Sequence, residues 1–335
     1  MAEATSHPQV MVLIVLSTIL TSISFVVVIT RCIIRFILIV KPWMDDFMIL
    51  GALIFTIGYQ ATIYVIKIHG GLGRSMTTLS PQEMVTFLKV TFAIEVIYYT
   101  IIFFIKTSIV FMYHRFAVWN TFKRLCIGTN VLLAAFYVVC LATTLAQCTP
   151  LVKAWDATRR LPGTCINTTA FFYFTSGFNI VTDVWILLLP IPTLRTLKIN
   201  KHSRYVLYGI FGAGAFATAM SCVRLHSIRI YTLAVDPFKD GVLVNLWSMV
   251  EVNVAIVCAS IPALKPLVTP KRLLDERRKR RGYGSNITEP FTYRPSKNSE
   301  FSPTASQSQH SHAAWPRSPQ SDGETSTISL PLHSL

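Results

Sequence analysis

The sequence predicts an all-α, polytopic membrane protein, a seven-transmembrane helix bundle with its N-terminus outside and its C-terminus cytosolic. Three observations carry that expectation. The 335 residues are 52% hydrophobic and only 14% charged, whereas soluble domains carry roughly 25% charged residues. Seven apolar runs, each close to the ~20 residues that cross a hydrocarbon core, follow one another between residues 10 and 266. The Lys and Arg residues between them fall unevenly on the two sets of alternating loops.

The runs are Val10–Thr30, Phe47–Ile66, Met84–Met112, Leu125–Ala146, Ala170–Ile191, Tyr205–Tyr231 and Val242–Leu264. Lipid offers no water to backbone N–H and C=O groups, so runs of this length are expected as helices, and the short alternating strands of a membrane barrel are not seen. Val10–Thr30 has no basic residue before it and no convincing small-residue cleavage site, so it reads as a retained anchor rather than a signal peptide. Gly209, Ala213 and Ala217 repeat every four residues in the sixth run, a spacing that permits close backbone approach to a neighbour. Pro190 and Pro192 are expected to end the fifth helix, and Pro262 and Pro266 to bend and end the seventh.

One set of loops carries Arg31, Arg35, Lys41, Arg115, Lys123, Arg124, Arg195, Lys198, Lys201 and Arg204, ten cations. The opposite set carries seven: Lys67, Arg74, Lys153, Arg159, Arg160, Arg229 and Lys239. The cluster from Lys265 to Arg281 adds eight to the first set, which is therefore expected to be cytosolic. Residues 1–9 are then a short extracellular N-terminus, 10–266 the membrane domain, and 267–335 a basic, then Ser/Pro-rich, disordered cytosolic tail. The net charge of +15 would suggest nucleic acid in a soluble protein. Here the run Arg277–Arg281 is expected to meet anionic lipids of the inner leaflet, at about 1 kcal/mol per basic residue, and no nucleic acid partner is expected. Ser302-Pro303 and Ser318-Pro319 in the tail are candidate phosphorylation sites.

Of seven cysteines, Cys148 and Cys165 share one outside loop. A disulfide there is one reading and two free thiols the other; no His or further Cys stands near them at metal-ligand spacing. Asn167-Thr168-Thr169 in the same loop is a glycosylation sequon.

Charges at membrane depth cost at least ~2.5–3.5 kcal/mol on insertion scales, so those present are expected to face the bundle interior and pair. By depth, Glu95, Arg224, Glu251 and Asn253 fall in the outer half, Lys106 and Asp183 in the inner half, and Asp45 and Asp46 at the cytosolic entrance of the second helix. On one reading Glu95, Arg224 and Glu251 line a ligand pocket open to the outside, while Lys106 with Asp183 and the Asp45/Asp46 pair form a cytosolic latch. On the other, all are structural pairs that hold helices in register.

The run Val242–Leu264 has no lysine to form a Schiff base, so no retinal is expected. No Asp-Arg-Tyr follows the third helix and no Asn-Pro-x-x-Tyr ends the seventh. Walker loops, zincin motifs and nucleophile elbows are also missing, so an enzymatic role is not expected.

Several strings in order resemble the fungal rhodopsin-domain family of filamentous fungi. They include Trp43-Met44-Asp45-Asp46, Gly70-Gly71-Leu72-Gly73-Arg74 and Lys106-Thr107-Ser108. Further along stand Gln147-Cys148-Thr149-Pro150 with Trp155-Asp156 and Cys165, and Asn179-Ile180-Val181-Thr182-Asp183 with Leu189-Pro190-Ile191-Pro192. Ala217-Thr218 with Arg224, then Glu251 with Ile261-Pro262-Ala263-Leu264, complete the match over residues ~10–270. The resemblance implies a receptor-like membrane protein. Relatives include proteins assigned to G-protein-coupled sensing of host surfaces, and others encoded in mycotoxin or secondary-metabolite clusters. The receptor branch often carries an eight-cysteine module before the first helix, which the nine residues here are too short to hold.

The leading expectation is a receptor that binds a small apolar or amphipathic ligand and signals to a cytosolic protein of G-protein type, located in the plasma membrane, with an endomembrane as the alternative. The second is a secondary-metabolism factor acting as transporter, membrane enzyme or accessory protein. The third is a structural partner that recruits other proteins to a membrane.

Overall fold

The computed structural model describes residues 8–39, 42–117, 119–156, 161–191, 201–233 and 237–268. The basic run Arg277–Arg281, the Ser/Pro-rich tail with Ser302 and Ser318, Pro192, and the loop cations Lys41, Arg159, Arg160, Arg195 and Lys198 lie outside the described residues. So do the side-chain surroundings of Lys201, Arg204, Gly209, Ala213, Lys265 and Pro266.

Seven long helices are present among the described residues: α1 Pro8–Cys32, α2 Met44–His69, α3 Pro81–Phe116, α4 Asn120–Leu145, α5 Thr168–Leu188, α6 Lys201–Leu233 and α7 Pro237–Val268. Each apolar run falls on one of them. Among the described residues, six are long and apolar enough to cross a membrane, and α6, 33 residues long, packs between α5 and α7. The fold is all-α and polytopic.

The helices are apolar outward and polar inward, the arrangement that lipid imposes. In α1 the buried positions are Val10, Leu13, Ser17, Thr21, Ser24, Val28 and Arg31, alternating by three and four residues, while Val12, Ile19 and Val26 face out. In α5 Thr175, Ser176, Asn179 and Thr182 are buried and Phe174, Val181 and Leu188 are exposed. A soluble bundle would reverse these two faces.

Local signals fix the helix ends better than apolar length does. The third helix begins at Pro81, three residues before the expected Met84, because Ser80 caps it: Ser80 Oγ accepts from Glu83 N at 3.3 Å while Glu83 Oε2 accepts from Ser80 N at 2.8 Å. The opening of α5 is capped by Asn167, whose Oδ1 accepts from Ala170 N at 3.1 Å. The expected stop at Pro266 is not observed, since α7 runs through Pro262 and Pro266 to Val268. A proline removes one donor and crowds the preceding turn, which bends a helix without obliging it to end. Close approach in α6 is found at Gly214, where a Cβ would stand 2.7 Å from Leu187 Cδ1 of α5.

After α2 the chain turns through Gly71 (φ 60°) and Gly73 (φ 82°), left-handed conformations that L side chains rarely adopt. A Cβ at either would also run into a neighbour, Leu79 for Gly71 and Val10 of α1 for Gly73.

Between α4 and α5 a short hairpin pairs β1, Cys148–Thr149, with β2, Thr164–Cys165. The two cysteines stand opposite each other in register and are joined by a disulfide, which resolves the two readings of the loop. Trp155 of the hairpin rests against Phe92 and Lys89 of α3. Replacing both cysteines by Ser should cost about 3 kcal/mol on the chain-entropy model for a loop of this size. The check is the unfolding midpoint: dithiothreitol should lower it in the native chain and leave the double variant unchanged. This hairpin marks one end of the bundle, hereafter the disulfide end, where α1, α3, α5 and α7 begin.

Candidate functional site

At the end opposite the disulfide, Arg31 of α1 is fully buried between two carboxylates of the first turn of α2. Its Nη2 donates to Asp45 Oδ2 at 2.5 Å and its Nε to Asp46 Oδ1 at 2.9 Å, while Nη1 donates to the Ala259 carbonyl of α7 at 2.8 Å. Arg35 lies 3.8 Å from Asp46, so two cations face two anions. Ser108 of α3 donates to the Asp45 carbonyl at 2.8 Å. Asp45 and Asp46 therefore do not form a latch with Lys106 and Asp183, as their depth had suggested. Arg31 and Arg35 had been counted as loop cations. The helical path continues past Cys32 through a π-helical stretch, Ile33–Ile39, and the longer path keeps both arginines inside the bundle.

The second cluster lies midway along the bundle. Arg224 Nε of α6 stands 2.7 Å from Glu251 Oε2 of α7, both buried. That N–H forms no hydrogen bond, so the contact is a charge pair rather than an aligned donor and acceptor. Glu251 accepts from Tyr98 Oη at 2.9 Å, Asn179 Nδ2 at 3.0 Å and Ser221 Oγ at 2.6 Å. Lys106 Nζ meets Asp183 Oδ1 at 2.9 Å and donates to the Asn179 carbonyl at 2.8 Å and Thr182 Oγ1 at 2.6 Å, which uses all three of its N–H groups.

These two ion pairs were expected in separate outer and inner layers, but they form one network. Asn179 touches both, through its side chain to Glu251 and its carbonyl to Lys106. Ser221 Oγ also touches both, at 2.6 Å from Glu251 Oε1 and 2.9 Å from Asp183 Oδ2. A hydroxyl has one proton, so Ser221 can donate to only one of the two carboxylates at a time. Tyr98, Asn179, Thr182 and Ser221 were not singled out from sequence as members of a site. The available signal was spacing: Asn179 lies four residues before Asp183, and Ser221 three before Arg224, each on one helix face.

Glu95 and Asn253 stand apart from this network. Asn253, two residues beyond Glu251, points the other way around α7, where its Nδ2 reaches the Met249 carbonyl at 2.8 Å and Thr21 of α1 at 3.4 Å. It is a buried polar residue of the α1–α7 contact. Among the described residues Glu95 accepts from Tyr99 at 3.3 Å and Thr144 of α4 at 3.4 Å.

Among the described residues two clefts flank the network toward the ends of the bundle, and a smaller third, lined by Tyr98, Lys106, Asn179 and Arg224 with Phe136 and Tyr137 of α4, lies beside it. The one at the disulfide end lies between α2, α3, α5, α6 and α7, with Tyr59, Glu95, Tyr98, Tyr99, Arg224 and Tyr231 among its walls. Arg224 also lies over the Tyr98 ring, its Cζ 4.6 Å from the centroid. The opposite cleft has Lys106, Asp183, Ser221 and Glu251 at its head and apolar walls below, including Met112 and Ala255. Arg224 thus faces the first cleft and Glu251 the second, and the pair between them is the partition.

Residues 30–270 match the family model described as Fungal rhodopsin domain. The chain is similar to a SAT4 family membrane protein of Emericella nidulans, 29% identical over 219 residues, 62% of this chain and 53% of that protein. It is 26% identical over 223 residues to Receptor GIN3 of Arthrobotrys oligospora, 66% of this chain and 54% of the relative. It is also 26% identical over 166 residues to Satratoxin biosynthesis SC1 cluster protein 4 of Stachybotrys chartarum, 49% and 59% of the two chains. The chain spans a little over half the length of these three relatives. No solved structure matches.

Proposed function

The chain belongs to the fungal rhodopsin domain family, and from that premise we propose that it is a receptor-like membrane protein that takes a small apolar or amphipathic molecule into the cleft at the disulfide end. One observation carries the reading: Tyr98 and Arg224, which wall that cleft, are the same side chains that hold Glu251. A ligand that draws either toward itself loosens Glu251. Ser221 then shifts its single proton between Glu251 and Asp183, a local two-state element able to bias the packing of α5, α6 and α7. Lys106 already uses its three N–H groups on Asp183, Asn179 and Thr182, and the reading requires no chromophore on it.

In this reading the disulfide end faces outside, where an oxidising compartment sustains Cys148–Cys165. The other end faces the cytosol, with Arg277–Arg281 against anionic lipid and a cytosolic signalling protein as the receiver, and the plasma membrane is the location. Asn167 is exposed and caps α5 through Oδ1, which leaves Nδ2 for a glycan. A second reading, a carrier encoded with a biosynthetic cluster, is favoured by the second cleft beyond the same partition. It also fits the name of the Stachybotrys chartarum relative.

Deletion in the native organism should remove a second-messenger response to an external fraction of its own metabolites. Ser221→Ala, which keeps both ion pairs, should restore abundance without the response. Glycosidase sensitivity at Asn167 and cytosolic exposure of a C-terminal tag read the orientation in the same cells. A deletion that alters how a product divides between cells and medium, with the response intact, selects the carrier. A deletion that changes neither overturns both readings.

A further inference from the structure

We propose that the ligand taken by the cleft at the disulfide end is a protonated amine on an aromatic or otherwise apolar body, with Glu95 as its counter-charge. The inference rests on the reading of that cleft as a ligand site and adds the chemical class.

The first support is charge. Arg31 and Arg35 face Asp45 and Asp46, Lys106 faces Asp183, and Arg224 faces Glu251. Glu95 is the carboxylate in the wall of this cleft, and among the described residues no cationic nitrogen is paired to it. Its partners are two neutral hydroxyls at 3.3 and 3.4 Å, both long for O–H donors to a carboxylate. With Arg224 already matched by Glu251, Glu95 is the group in the cleft wall that a bound cation would hold in its charged form. An ammonium group supplies the missing partner, whereas a carboxylate ligand would add a second charge of the same sign.

The second support is the wall itself. Phe87, Tyr98, Tyr99, Phe172 and Tyr231 line the cleft around Glu95. Ring faces attract cations, and they offer an apolar body a surface to stack on.

The third is a pair of unused hydroxyls. Thr91 Oγ1 and Ser176 Oγ are buried without a hydrogen-bond partner, and both residues line this cleft. Thr91 precedes Glu95 by one turn of α3, so the two share a face, while Ser176 comes from α5 across the cleft. An ammonium has three N–H donors and no acceptor. Glu95, Thr91 and Ser176 together offer three acceptor groups and satisfy oxygens that otherwise remain buried and unbonded. Tyr99 extends the wall, with its hydroxyl 3.4 Å from Thr175 next to Ser176.

The test uses three probes with one ring system and different charge: tryptamine, tryptophol and indole-3-propionate. Binding to the full chain in neutral phosphatidylcholine nanodiscs is read as the rise in unfolding midpoint with probe concentration. Tryptamine should bind about tenfold or more tightly than tryptophol, and indole-3-propionate should not bind. Glu95→Gln should abolish the preference for tryptamine while leaving the unliganded midpoint near that of the native chain. Thr91→Val, at a site with no existing hydrogen bond to lose, should weaken tryptamine several-fold and supplies the answer if Glu95→Gln does not fold. Equal binding of tryptamine and tryptophol, or a preference that survives Glu95→Gln, overturns the amine assignment and leaves the cleft as a neutral-ligand site. Preference for indole-3-propionate also overturns it, and points to Arg224 as the recognising group. Binding of none of the three overturns it too, while the deletion experiment decides the receptor reading separately.

Discussion

Glu251→Gln should destabilise the protein by about 3–5 kcal/mol, the range for breaking a buried ion pair from one side. The loss exceeds that of one contact because four side chains converge on this carboxylate: Arg224, Tyr98, Asn179 and Ser221. A glutamine places an NH2 group among donors that need acceptors, and it leaves the Arg224 guanidinium charged and uncompensated. Arg224→Gln should cost less. Glu251 then keeps three neutral donors and can take up a proton, an escape that arginine lacks. The double variant should therefore be less damaged than the sum of the two singles, with a coupling of roughly 0.5–3 kcal/mol. Unfolding midpoints in a nonionic detergent for the native chain, both singles and the double measure it. Strict additivity would mean that the two charges do not interact, and the partition between the clefts would lose its meaning. For this reason loss of a ligand response in either single variant says little about ligand binding, and Ser221→Ala is the sharper probe of signalling.

The second large effect is expected at Arg31. Arg31→Met should also cost at least about 3–5 kcal/mol, since it strands two adjacent carboxylates inside the bundle and frees the Ala259 carbonyl. Arg35, 3.8 Å from Asp46, is too distant to replace it. Arg31→Lys should recover only part of the loss. A single ammonium is a compact point charge and cannot reproduce the fork that reaches Asp45, Asp46 and the α7 backbone together. Adding Asp46→Asn to Arg31→Met should restore some stability by removing one stranded charge. The readout is the fraction of protein that elutes as a monodisperse peak after detergent extraction and mild heating. A native profile for Arg31→Met would show that the cluster does not hold α1, α2 and α7 together.

The two clusters divide the expected site residues by role. Asp45 and Asp46 serve the structural reading, because their partners tie three helices at one end. Asp183, Lys106, Arg224 and Glu251 join into a single network between two clefts. Asn253 belongs with packing, and Glu95 stands alone.

Depth along each helix was legible in the sequence, because length converts to distance at ~1.5 Å per residue. That is why Arg224 was grouped with Glu251 and Lys106 with Asp183, although the two layers expected from depth meet in one network. Direction around the bundle was not legible. Glu95 and Arg224 fall in the same slab and wall the same cleft without pairing, since Glu95 turns toward Thr144 of α4. Arg31 was missed for a different reason. It sits at the edge of an apolar run, and the run does not reveal that the helical path continues to Ile39. Helix ends were misjudged similarly: α3 extends from Pro81 to Phe116 and α7 from Pro237 to Val268, both beyond their apolar cores. The Ser80-Pro81-Gln82-Glu83 capping signal was present for α3 and marks its start better than hydropathy.

By itself the sequence determined that the chain is a seven-helix membrane protein of this family, because the lengths of apolar runs and the scarcity of charge are properties of the chain alone. Only the tertiary structure decided which charges meet, that two ion pairs share Ser221 and Asn179, and that Glu95 remains unmatched in an aromatic cleft. The physical reason is that an ion pair depends on how neighbouring helices are rotated and tilted against each other. Those angles come from side-chain packing among all seven helices, and no single run of residues encodes them.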